Sequence, residues 1–165
     1  MDYSPKNLLL PAMDYGFQIQ RTYEGVTDPS HAVFDKEKSC WRFKAGELVR
    51  VIITLTNTSR RYHVALVDYI PAGLEPINPE LKGNAPASEN KHKCWWNWPW
   101  YEHVNSRDER VEAFSSLLWE GTHTFKHLCR ATSIGSFIIP PTKAEEMYSP
   151  EIFGRSNTIF AEVFE

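Results

Sequence analysis

Residues Val49-Arg50-Val51-Ile52-Ile53-Thr54-Leu55-Thr56 alternate with a period of two, which puts Val49, Val51, Ile53 and Leu55 on one side of an extended chain. A helix would scatter those four residues around its axis, and their β-branched neighbours favour a pleated surface. The run therefore predicts a strand with one buried face. Asn57-Thr58-Ser59-Arg60-Arg61 supplies turn residues, and a second apolar run over 62–70 ends at Pro71-Ala72-Gly73, so the two runs read as an antiparallel pair.

The same signal recurs over 17–23, 40–43, 110–114, 122–132, 135–139 and 158–164, giving eight short strands punctuated by eleven Pro and eight Gly. Gly46 and Gly121 stand where hairpin turns require a positive φ. Helix signals are scarce. The pattern predicts an all-β protein, an antiparallel two-sheet β-sandwich of immunoglobulin-like architecture in one domain over 1–165. The exception is 78–109, a stretch carrying Pro79, Gly83, Pro86 and Lys91-His92-Lys93, which is too long for an ordinary connection and reads as an insertion.

Charge and composition narrow the function. Eighteen basic and twenty-one acidic residues leave a net charge of −3, which gives no electrostatic footprint for a nucleic acid. Apolar residues make up 42% of the chain, so it has enough material for a core. The early run Leu8-Leu9-Leu10 stops at Pro11, too short for a membrane span or for the apolar part of an export signal. A chain of this length could equally be a segment of a longer precursor.

No reaction is legible. The sequence has no nucleophile elbow, zinc-protease helix or phosphate-cradling glycine loop, and Asp14, Asp68 and Asp108 have no spacing that gathers them. Glu145 and Glu146 would point to opposite sides of an extended segment and read as a solvated face. His63, His103, His123 and His127 raise the question of a metal. On a strand, however, His123 and His127 would stand ~13 Å apart, too far to share one ion. Cys40, Cys94 and Cys129 form no C-x-x-C pair and read as small apolar side chains rather than nucleophiles. No cofactor is expected.

Two groups of residues stand out as candidate binding surfaces. Cys94-Trp95-Trp96-Asn97-Trp98-Pro99-Trp100-Tyr101 packs five aromatic rings into seven residues. Trp95, Trp96, Trp98, Trp100 and Tyr101 could form a stacking platform for a sugar or an anchor for a protein. They could equally cover the end of the sandwich and pin the insertion. Met147-Tyr148 and Ile152-Phe153 flank Ser149-Pro150 and supply apolar groups on a Pro-containing loop.

The C-terminal third carries a family resemblance. Arg130-Ala131-Thr132-Ser133-Ile134-Gly135-Ser136-Phe137-Ile138-Ile139-Pro140-Pro141-Thr142-Lys143-Ala144-Glu145-Glu146-Met147-Tyr148-Ser149-Pro150-Glu151-Ile152-Phe153-Gly154-Arg155-Ser156 resembles the end of bacterial-type alpha-2-macroglobulins. Arg61-Tyr62-His63-Val64-Ala65-Leu66-Val67-Asp68, Ile70-Pro71-Ala72-Gly73-Leu74-Glu75-Pro76 and Trp100-Tyr101-Glu102-His103 agree, as do Tyr15-Gly16-Phe17 and Arg21-Thr22-Tyr23. The resemblance implies the terminal macroglobulin-like domain of a large extracytoplasmic protease trap. In such a trap a cut bait region triggers rearrangement, and an internal Cys–Gln thioester captures the protease. It further implies that this domain packs on the thioester domain and keeps that bond dry, with neighbouring domains as partners and the target protease engaged indirectly.

The three cysteines here run into Trp41-Arg42-Phe43, Trp95-Trp96-Asn97 and Arg130-Ala131-Thr132, so none begins the Cys-x-Glu-Gln thioester motif. Under this resemblance Met147, Tyr148 and Phe153 are the residues expected to face the thioester domain. They could also simply close one edge of the sandwich. A free-standing adaptor or carbohydrate-binding module using the Trp cluster is the alternative.

Overall fold

The computed structural model describes residues 9–77 and 99–165. Among these, β1 (Met13–Tyr15), β2 (Gln18–Gly25), β3 (Ala32–Asp35), β4 (Cys40–Lys44), β5 (Leu48–Asn57), β6 (Arg61–Tyr69) and β7 (Leu74–Pro76) form the first half. The second half holds β8 (His103–Ser106), β9 (Arg110–Leu118), β10 (Gly121–Ala131), β11 (Gly135–Ile139), β12 (Lys143–Glu146), β13 (Ser149–Arg155) and β14 (Ile159–Phe164). A 3-10 turn, Pro29–His31, is capped by Asp28, whose carboxylate accepts from the Ser30 amide.

The strands form one six-stranded sheet, β1-β13-β12-β6-β9-β8, and two four-stranded sheets, β2-β5-β10-β7 and β11-β14-β4-β3. The inner face of β2 and β5 is covered from two sides. Arg21 on β2 reaches Asp68 on β6, while the Tyr23 ring meets Trp41 and Phe43 of β4 at 5.2 Å each. The result is a β-sandwich in which the β11-β14-β4-β3 sheet and the six-stranded sheet share one side of the core. Among the named strands pairing is antiparallel except for β14 with β4, and an isolated bridge between Gly16 and Phe153 is also parallel.

Local periodicity becomes burial as expected. Val49, Val51, Ile53 and Leu55 are all essentially inaccessible, and they join Phe17, Phe43, Val64, Leu66 and Ile139 in one core. Cys40 and Cys129 are free and buried in that core region, while Cys94 lies outside the described residues.

The pairing of the two long runs differs from the expectation. β5 hydrogen-bonds to β2 and β10, whereas β6 hydrogen-bonds to β9 and β12, so the turn at 58–60 carries the chain from one sheet to the opposite one. Both runs have a face that needs burial, and facing each other across the core buries both. Asn57, itself buried, holds this corner by donating from Nδ2 to the Ser59 carbonyl at 2.8 Å and the Trp119 carbonyl at 2.9 Å. Gly46 and Gly121 do adopt positive φ, +83° and +133°, but each sits at a switch between sheets rather than in a hairpin. True hairpins join β3 to β4, β8 to β9 and β12 to β13. The stretch set apart as an insertion also contributes β8, an edge strand paired with β9.

Candidate functional site

The β12–β13 hairpin places Met147 and Tyr148 at its tip, between Glu146 and its partner Ser149. Tyr148 is 79% exposed and Met147 53% exposed, a pair of apolar side chains in water with little cover. The register slips below the tip, because Glu145 pairs with Phe153 while Glu146 pairs with Ser149, leaving Pro150, Glu151 and Ile152 as extra residues on β13. Such a bulge bends the strand and re-aims the side chains beside it.

Support for the tip comes from the start of β6. The Met147 amide donates to the His63 carbonyl at 2.9 Å, and the His63 ring meets the Tyr148 ring edge-on with centroids 5.0 Å apart. Glu146 accepts from the Tyr62 amide at 3.3 Å and lies 4.0 Å from the Arg61 guanidinium, whose side chain is mostly buried. Glu145 pairs with Lys143 instead. The two carboxylates thus point to different partners: Glu145 lies on the exposed face expected of it, whereas Glu146 is largely covered beside Arg61.

Phe153 is placed elsewhere. Its ring packs on Tyr15 at 5.1 Å and helps line a shallow cleft of about 430 Å³ with Leu10, Tyr69, Pro140, Pro141 and Lys143. The structure therefore brings Met147 and Tyr148 together with His63, and sets Phe153 further down β13.

Of the aromatic cluster, Trp95, Trp96 and Trp98 lie outside the described residues. Trp100 and Tyr101 are partly buried and stand nearly perpendicular, at 89° with centroids 5.6 Å apart. Trp100 donates from its indole to the Thr124 carbonyl at 3.1 Å, and Tyr101 packs edge-on against Phe125 at 5.2 Å. These contacts hold the chain before β8 against β10.

The histidines are engaged separately. His123 bonds the Trp119 carbonyl at 2.8 Å, and His127 bonds Asp68 at 2.8 Å. Asp68 is the centre of a buried network that sequence spacing did not reveal. Its Oδ1 accepts from Arg21 Nη1 and from the Thr142 hydroxyl, each at 2.6 Å, while Oδ2 takes the His127 bond. Arg21 also donates to the Pro140 carbonyl at 2.5 Å, so the network ties β2, β6, β10 and the β11–β12 connection together. Burial pushes the Asp68 carboxyl up, but the Arg21 charge and the His127 and Thr142 hydrogen bonds outweigh it and hold its pKa at about 2. Burial and the Asp68 charge push the Cys129 thiol up, so it is protonated and unreactive at neutral pH. One signal was available: Asp68 is in phase with Val64 and Leu66, and Arg21 with Ile19 and Tyr23, so each occupies an inward position on its strand.

The β-sandwich has the fold of solved alpha-2-macroglobulins, which makes it a macroglobulin-like domain. Escherichia coli alpha-2-macroglobulin activated by porcine elastase superposes with a TM-score of 0.75 at 24% identity, over 94% of this chain and 14% of that one. The native conformation of the Escherichia coli protein superposes with a TM-score of 0.72 at 22% identity, over 98% of this chain and 10% of that one. Residues 16–151 match the bacterial alpha-2-macroglobulin MG10 domain, and the chain belongs to that family.

Among relatives by sequence, Circularly permutated Ras protein 2 of Dictyostelium discoideum is 30% identical over 147 residues, covering 87% of this chain and 3% of that protein. Alpha-2-macroglobulin of Escherichia coli K12 is 28% identical over 153 residues, covering 89% of this chain and 9% of that protein. The chain thus corresponds to a small part of much larger relatives. Among the described residues no helix is long and apolar enough to cross a membrane.

Proposed function

We propose that this chain is one non-catalytic domain, the terminal macroglobulin-like domain of an alpha-2-macroglobulin-like protease trap, and that it docks on the thioester domain and shields the thioester from water. The observation that carries this reading is the tip itself: in a domain of this family, Tyr148 and Met147 project from a hairpin with most of their surface in water. Isolated apolar side chains are common on surfaces, but two adjacent ones at the end of a supported hairpin suit insertion into a partner.

Shielding a thioester requires an apolar cover that excludes water and can be withdrawn when the partner moves. In this reading the domain supplies the cover and no reacting group, the neighbouring domains of a larger chain are its partners, and the protease is engaged only through them. The trap reading implies an extracytoplasmic location. Phe153 joins the interface if the cleft beside β13 is covered by the same partner.

The test is spontaneous loss of the thioester in the full-length protein, read as thiol release over time. A docked aromatic ring contributes about 1.5–3 kcal/mol when buried, so Tyr148→Ala should speed the loss on the order of ten- to a hundredfold. An unchanged rate in Tyr148→Ala overturns the shielding role.

A second reading, an interaction module within a larger chain of another kind, is favoured by the 30% identity to the Dictyostelium protein. The native open reading frame separates the two. A Cys-x-Glu-Gln motif in the same frame supports the trap, and its absence supports the module.

A further inference from the structure

We infer that His63 is a positioning residue that holds Tyr148 in its projecting pose; the inference deepens the docking reading and rests on it for its functional meaning. Three observations converge on His63. It lies inside β6 yet adopts φ +48°, in the left-handed region, and among the described residues Ser39 is the one other non-glycine residue with positive φ. Its carbonyl accepts from the Met147 amide, and its ring packs edge-on to the Tyr148 ring.

The backbone conformation at His63 costs free energy for any residue with a Cβ, so it persists only where surrounding contacts fix it. The ladders place His63 but do not call for this conformation. Their registers run on through it, setting it opposite Ser116 between the Tyr62–Leu117 and Val64–Ser115 pairs and in line with Met147 beyond the Val64–Glu146 pair, and ordinary strand backbone would serve for both. In this conformation its carbonyl and its ring meet consecutive residues of the tip, the carbonyl the Met147 amide and the ring Tyr148.

The hairpin needs that support. Two-residue loops that match the twist of their strands place one or both central residues at positive φ, usually with Gly or Asn. Here the central residues are Met147 and Tyr148, and neither has positive φ. The turn is therefore not the kind that specifies its own geometry, and three unpaired residues on β13 loosen the ladder directly beneath it. With Tyr148 79% exposed, the His63 ring is its one aromatic contact among the described residues. A projecting side chain held in one pose loses less conformational entropy on docking than a free one.

The experiment separates the ring of residue 63 from its backbone, using the 165-residue chain. His63→Gly and His63→Asn both tolerate positive φ but lack an aromatic ring to pack on Tyr148, and His63→Phe restores an aromatic edge. NMR order parameters for Tyr148 are read beside the melting temperature. In His63→Gly the melting temperature should stay level or rise, because the strained residue is now permissive, while the Tyr148 side-chain order parameter falls below its value in the parent, into the flexible range under about 0.6. His63→Asn should show the same loss of order, and His63→Phe should return it to the parent's value.

An order parameter that stays near the starting value in His63→Gly, or that His63→Phe fails to restore, overturns the proposal. A fall in melting temperature with Tyr148 order unchanged also overturns it, since it would make His63 a purely structural residue. None of these readouts involves the thioester, so an unchanged thioester lifetime in Tyr148→Ala would remove the docking reading while leaving the positioning result to be judged alone.

Discussion

Removing Asp68 should destabilise this domain about as much as truncating one of its large buried apolar side chains. In Asp68→Ala the Arg21 guanidinium, whose side chain is 1% exposed, loses its counter-ion, and the Thr142 hydroxyl and His127 lose their acceptor. Stranding one member of a buried ion pair costs about 3–5 kcal/mol. Against a urea slope of roughly 2 kcal/mol per molar, that is a fall of about 1.5–2.5 M in the midpoint. Urea titration by tryptophan fluorescence at pH 7 measures it directly. Replacing the pair together, as Arg21→Met with Asp68→Leu, should cost less than Asp68→Ala alone, because no charge is left stranded. A loss below about 1 kcal/mol in Asp68→Ala would refute the reasoning, since it would mean that water or another group reaches Arg21.

The same network sets a pH dependence of known sign. The Asp68 carboxyl titrates near 2 in the folded chain against 3.8 for its ordinary value, so its contribution is present above the unfolded value and is lost as pH falls from about 4 through 2. Nearly two pH units at about 1.4 kcal/mol each make that contribution roughly 2–3 kcal/mol, and in Asp68→Asn this part of the acid sensitivity should vanish.

Three further outcomes concern other parts of the fold. Gly154→Ala would put a Cβ 1.9 Å from the Phe17 carbonyl oxygen, a collision with backbone, so the variant should fail to give a cooperative melt where Gly121→Ala, with open space around it, still does. Glu47→Ala removes the acceptor of the Thr27 amide at 2.8 Å and of His31 at 2.7 Å, and should lower stability by about 1–3 kcal/mol in the same urea assay. Tyr148→Ala should leave the unfolding free energy within about 0.5 kcal/mol of the parent, because so exposed a ring contributes little to folding; a larger loss would mean the tip is part of the core rather than a docking element.

What the sequence determined by itself was local. Period-two alternation named the strand at 49–56 and the face it buries, because side-chain direction along a strand follows from backbone geometry alone, and 135–139 was legible as a strand without its face. The residues of the tip were legible as apolar and near a proline, and the family resemblance singled out Tyr148. β12 and β13 escaped notice as strands, since Lys143-Ala144-Glu145-Glu146 has one apolar residue in four and Ser149-Pro150-Glu151 opens on turn formers; both are held by pairing with β6 and β1. Only the tertiary structure decided who pairs with whom: that β5 and β6 face each other instead of joining, that Asp68 finds Arg21 forty-seven residues away, and that His63 meets Tyr148. Strand pairing and buried charge pairing are energies between residues distant in the chain. The local pattern that fixes which way a side chain points carries no information about what it will meet.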